Sequence, residues 1–87
     1  MKFAEVRPYA DPEAAARKLI EIANAVEAVQ DGRIHIELIN APFLYAFKGS
    51  PAEYGAGLNL AIERDWLWLH ESGTYVKFTQ AGAELFA

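Results

Sequence analysis

The chain contains no cysteine, so it has neither disulfides nor a thiolate metal site, and its stability must come from an apolar core. Cations are scarce too. Eight Lys and Arg stand against twelve Asp and Glu, a net charge of −4. That balance argues against a broad basic footprint for nucleic acid and against attraction to anionic membranes. No apolar run approaches the roughly 18 residues that read as a membrane-crossing helix. The start of the chain has Lys2, Glu5 and Arg7 but no apolar stretch of the kind a secretory signal needs, so a cytoplasmic protein is expected.

What is present suits one small domain. Of 87 residues 53% are hydrophobic, with two Trp, four Tyr and five Phe, which can supply a core without staples. No internal repeat, linker or low-complexity segment divides the chain. Residues 1–10 read as an extended arm, with Phe3, Val6 and Tyr9 apolar and Pro8 holding Arg7 out of helical geometry. The arm lies on the domain's own core or is exchanged between two protomers, and the first is favoured. Residues 11–87 form the single domain.

The strongest local signal opens the stretch 50–87. Ser50, Pro51 and Glu53 make an S-P-x-E helix start, a capping box with proline in the first turn. Tyr54, Leu58, Ala61 and Ile62 follow at helical spacing. The period then changes. Residues 66–70 and 75–79 alternate as two short strands around the turn Glu71-Ser72-Gly73-Thr74. Leu67, Leu69, Val76 and Phe78 are expected inward, with Trp66 and Trp68 on the other face, where the arm can cover Trp66. Asp65 ends the helix at a left-handed position, and Thr79 caps a closing helix over 80–87 whose Leu85 and Phe86 complete the core.

Upstream, Asp11, Pro12 and Glu13 start a first helix that Asp31-Gly32 ends, with Ala15, Leu19, Ile22, Ala23, Val26 and Val29 as its inward stripe. Residues 33–38 alternate strictly, Ile34, Ile36 and Leu38 against Arg33, His35 and Glu37, as a half-buried strand does. Asn40 then caps a short helix over 41–48, with Phe43, Leu44 and Phe47 inward and Gly49 as its stop. Lys48-Gly49-Ser50 is a tight turn between two helices.

This order of elements, and above all the run G-L-N-L-A-I-E-R-D-W-L-W-L-H-E-S-G-T-Y-V-K-F-T-Q-A-G, resembles the winged helix-turn-helix superfamily over about residues 11–79. The resemblance implies an α+β fold: a three-helix core, a small antiparallel sheet with a β-hairpin wing, and a short C-terminal helix. Many members of that superfamily lay the third helix in the DNA major groove. By position, the reading face here holds Glu53, Ala56, Asn59, Leu60 and Glu63, and the wing holds Glu71, Ser72, Gly73 and Thr74. A groove-reading helix should bring arginine or lysine to phosphates and guanine edges. This one brings two carboxylates, and only Lys48, Arg64 and Lys77 lie within reach.

No catalytic or cofactor pattern emerges. His35 and His70, with Glu37 and Glu71 near them, have no metal-ligand spacing. Glu53, Glu63 and Asp65 share a helix without forming an acid–base pair, Ser50 and Ser72 have cap and turn roles, and the G-x-G at Gly55–Gly57 lies inside a helix rather than after a strand. The expected function is non-enzymatic protein contact, most of all with a copy of itself, through the third helix and wing: Glu53, Ala56, Asn59, Leu60, Glu63, Trp68 and Lys77. Tyr9, Trp66, Trp68 and Tyr75 exceed what so small a core must bury. The alternative is a DNA-binding regulator, in which a dimer assembles a basic patch from Lys2, Arg7, Arg17, Lys18 and Arg33 away from the third helix. A sensor built on His35 and His70 is a third reading.

Overall fold

The computed structural model describes residues 7–26 and 32–86. Pro8 keeps Arg7 extended (φ −89°, ψ 121°), but Pro8–Ala10 then close a single 3₁₀ turn in place of the arm expected there. Phe3, Val6, Lys2 and residues 27–31 lie outside the described residues.

Helix α1 covers Pro12–Ala25, capped by Asp11, whose side chain accepts from the N–H of Glu13. It ends earlier than the periodicity predicts. Val26 falls on helical spacing yet is extended (φ −78°, ψ 136°), and its N–H closes the helix on Ile22 and Ala23. Apolar spacing alone carries no stop signal, and α1 stops at Ala25 rather than continuing through Val26.

Only two residues of the predicted strand over 33–38 are strand, and its last two already belong to a helix. Strand β1 is only Ile34–His35. The N–H of Ile36 donates to the carbonyl of Thr74, and the chain then turns into α2, Glu37–Ala41. Two periods compete in this sequence, and the helical one wins. Ile39 and Phe43, four apart, are both fully buried, whereas Leu38 is 43% exposed. Asn40 is therefore inside a helix and caps nothing. Pro42 has no N–H for the α ladder, and Pro42–Ala46 widen into a π turn in which Phe47 donates to the Pro42 carbonyl at 3.0 Å. Phe47 is 40% exposed rather than in the core, with the Lys18 ammonium over its ring. The left-handed stop is Lys48 (φ 63°), while Gly49 is buried against the Phe43 ring.

Helix α3, Pro51–Glu63, starts as predicted. Ser50 Oγ accepts from the Glu53 N–H at 3.1 Å, and Glu53 returns the bond to the Ser50 N–H at 2.9 Å. Its close partner is α1: a Cβ on Gly57 would lie 2.7 Å from that of Ala15. Gly57 thus lets two helix backbones approach where any side chain would hold them apart. Asp65 ends the helix in the left-handed conformation (φ 62°).

Strands β2, Leu67–Leu69, and β3, Tyr75–Phe78, form a hairpin, and β1 pairs with the free side of β3 to give an antiparallel sheet in the order β1-β3-β2. The fold is α+β. Ile34, Leu67 and Val76 face the helices and join Leu19, Ile39 and Phe43 in one core. Trp66 departs from the prediction: it is 8% exposed, with the guanidinium groups of Arg17 and Arg64 over its ring. Thr79 caps α4, Gln80–Glu84, by accepting from the Gly82 N–H. Leu85 and Phe86 do not close the core. They are 44% and 40% exposed, with Phe86 in a T-shaped contact with the Phe78 ring. Among the described residues, no helix is long and apolar enough to cross a membrane.

Candidate functional site

Two surfaces carry the residues expected to act: the outer side of α3 and the sheet face turned away from the helices. Side chains alternate across a strand, so the register fixes which residues share that sheet face. Trp68 stands opposite Lys77, and Leu69 opposite Val76, which brings His70 level with Tyr75; on the other side His35 stands opposite Tyr75. Trp68, His70, Tyr75, Lys77 and His35 therefore project together. Arg33, just before β1, joins them by laying its guanidinium over the Tyr75 ring at 5.5 Å.

The rings form one cluster. His70 stacks on Tyr75 with centroids 4.6 Å apart and planes 18° from parallel, and Trp68 meets both nearly edge-on, at 5.7 and 6.2 Å. His70 stacks on Tyr75 from β2 and the Arg33 guanidinium lies over the same ring, which is half-buried. Trp68 is more open, at 48% exposed. The wing is pinned from the same cluster. The Ser72 N–H donates to His70 Nδ1 at 3.1 Å, Ser72 Oγ lies 2.8 Å from that nitrogen, and Ser72 and Thr74 share a hydroxyl hydrogen bond. Gly73 takes the positive φ (75°) that the tight turn requires.

On α3 the expected residues divide. Ala56, Asn59 and Glu63 are exposed, but Leu60 packs partly against the core. Glu53 is no free carboxylate. Its side chain is 10% exposed, and Arg7 holds both its oxygens, Nε to Oε2 at 2.7 Å and Nη2 to Oε1 at 2.8 Å. The Arg7 hydrogen bonds, then the bond from the Ser50 backbone, hold the Glu53 carboxyl down at about 2. The acidic character expected at the start of α3 is thereby cancelled, leaving Glu63 to carry it.

The basic patch expected from Arg7, Arg17, Lys18 and Arg33 is not one surface of free charge. Arg7 serves Glu53. Arg17 and Arg64 share Glu13, at 3.1 and 3.2 Å, which lowers the Glu13 carboxyl below its ordinary value, while Lys18 pairs with Glu21. Strand β3 separates His35 from His70, and the described residues contain no group of three or more His, Cys, Asp or Glu able to hold a metal ion. The sequence marks Trp68 and Lys77 as interaction residues and Tyr75 as an aromatic in excess of the core, and it offers the histidines only as a metal, acid–base or sensor cluster. The alternation that placed Trp68 outside could have placed His70 and His35 beside it.

No family model, curated protein or solved structure matches the chain.

Proposed function

We propose that the chain is a non-enzymatic module of winged-helix type that works by contact with protein, through the outer face of its sheet. The winged-helix reading is supported by the element order and by the sheet order β1-β3-β2, in which the hairpin after α3 pairs back onto a strand placed between the first two helices. The contact reading is carried by Trp68. A tryptophan 48% exposed within a pre-assembled ring cluster offers a large apolar area with little ordering cost, as residues at the centre of protein interfaces do.

The second reading, DNA binding through α3, gains one supporting observation: the Arg7 clasp removes Glu53 as a charge opposing phosphate. It leaves Ala56, Asn59 and Glu63 as the exposed face, with Lys48 at its start. A titration of labelled mixed-sequence duplex at about 50 mM and about 200 mM salt separates the two readings, because phosphate contacts weaken steeply over that range. The protein-contact reading expects no binding at tens of micromolar. Steeply salt-dependent binding contradicts it and moves DNA to first place.

A further inference from the structure

We infer that the outer sheet face docks an acidic segment of a partner protein, one that alternates carboxylates with apolar side chains. The inference rests on the protein-contact reading and names the partner's chemistry. Charge carries it. The positions that share this face are Arg33, His35, Trp68, His70, Tyr75 and Lys77. None is a carboxylate, in a chain where carboxylates outnumber cations twelve to eight. Of the carboxylates nearest in sequence, Glu37 and Glu71 follow the strands rather than sit within them, and Asp31 lies outside the described residues.

Lys77 differs from most cations of the chain. Arg7, Arg17, Lys18 and Arg64 each hold a carboxylate of the chain itself. Lys77 forms no ion pair among the described residues, and it stands directly across from Trp68. An apolar side chain on Trp68 beside a carboxylate on Lys77 satisfies both, and histidine N–H groups beside them suit further carboxylates. A second copy in a two-fold contact through this face would set like charges against each other, a cost that specific interfaces avoid. Single-stranded nucleic acid fits less well. Base stacking needs open ring faces in a row, and here His70 and Tyr75 stack on each other while Trp68 stands nearly edge-on to both.

The test is a nuclear magnetic resonance titration of the whole chain with three synthetic peptides: alternating Glu–Leu, Gln–Leu and Lys–Leu. The two indole N–H signals report separately, buried Trp66 on the fold and exposed Trp68 on the face. The inference expects the Glu–Leu peptide to shift Trp68 and Lys77 while Trp66 stays in place. The shift should be at least tenfold weaker with the Gln–Leu peptide and absent with Lys–Leu. Lys77→Glu should reverse the preference toward Lys–Leu, and Lys77→Gln should abolish it. Equal shifts from the Glu–Leu and Gln–Leu peptides overturn the acidic preference and leave the protein-contact reading standing. No shift of Trp68 with any peptide counts against both. Stronger shifts from oligothymidine than from the Glu–Leu peptide overturn the inference in favour of nucleic acid. Broadening of Trp68 with protein concentration alone overturns it in favour of a second copy.

Discussion

Arg7 and Glu53 form a two-pronged ion pair that joins the chain ahead of α1 to the first turn of α3, with the Arg7 Nη2 also donating to the Lys48 carbonyl at 3.2 Å. One guanidinium thus holds the entry turn of α3 and neutralises the residue best placed to repel an anion there.

That pair gives stability a defined pH dependence. The Glu53 carboxyl sits at about 2 in the fold against an ordinary value of 4.5. A depressed acid stabilises the fold fully above its unfolded value, and the contribution fades as pH falls through the folded one. Unfolding monitored by circular dichroism should therefore become easier between about pH 4.5 and pH 2. Glu53→Gln and Arg7→Met should both flatten this acid limb. An unchanged limb in either variant would show that the ion pair does not form in solution.

The two glycines of α3 should respond in opposite directions. A Cβ on Gly57 would press on Ala15 and on the α1 backbone, at 2.7 and 3.0 Å, whereas one on Gly55 would meet nothing within 4 Å. Gly57→Ala should cost about 1–3 kcal/mol through overpacking. Gly55→Ala should gain about 0.5–1 kcal/mol by relieving helix entropy. Urea denaturation measures both, and equal shifts would refute the close approach of α1 and α3.

Thr79 fastens both ends of the hairpin. Its hydroxyl donates to the Asp65 carbonyl and accepts from the Gly82 N–H at 3.0 Å. Thr79→Val keeps the shape and loses both bonds, and should cost about 1–2 kcal/mol in the same assay. A loss no larger than that of an exposed substitution such as Gln80→Ala would contradict this role.

Several local chemical devices are legible in the sequence, but not all: Asn40 caps nothing, and Lys48 rather than Gly49 is the left-handed stop. The Ser50–Glu53 capping box, the left-handed Asp65, the wing turn and the Thr79 cap all appear where they were expected. Apolar spacing places the faces of the hairpin but misplaces two element boundaries. Ile34, Ile36 and Leu38 alternate as a strand should, but Ile39 and Phe43 fit a helix, and burial of both rewards the helix. Val26 continues the period of α1 after the helix has ended. The face of the sheet was legible only in part. Trp68 and Lys77 can be placed by alternation, but Arg33 reaching over Tyr75 and the Arg7–Glu53 clasp depend on tertiary packing between distant segments. No local pattern announces either.

The most direct test of protein contact through the sheet is photo-crosslinking in cells that make the chain, with the reactive side chain at position 68 or, in parallel, at position 59 on the exposed side of α3. Trp68 and Asn59 are both exposed, so either substitution should change stability by no more than about 0.5 kcal/mol. The account predicts a discrete protein adduct from position 68, lost when Lys77→Glu is added, and none from position 59. Nucleic-acid adducts from position 59, with nothing from position 68, would contradict it.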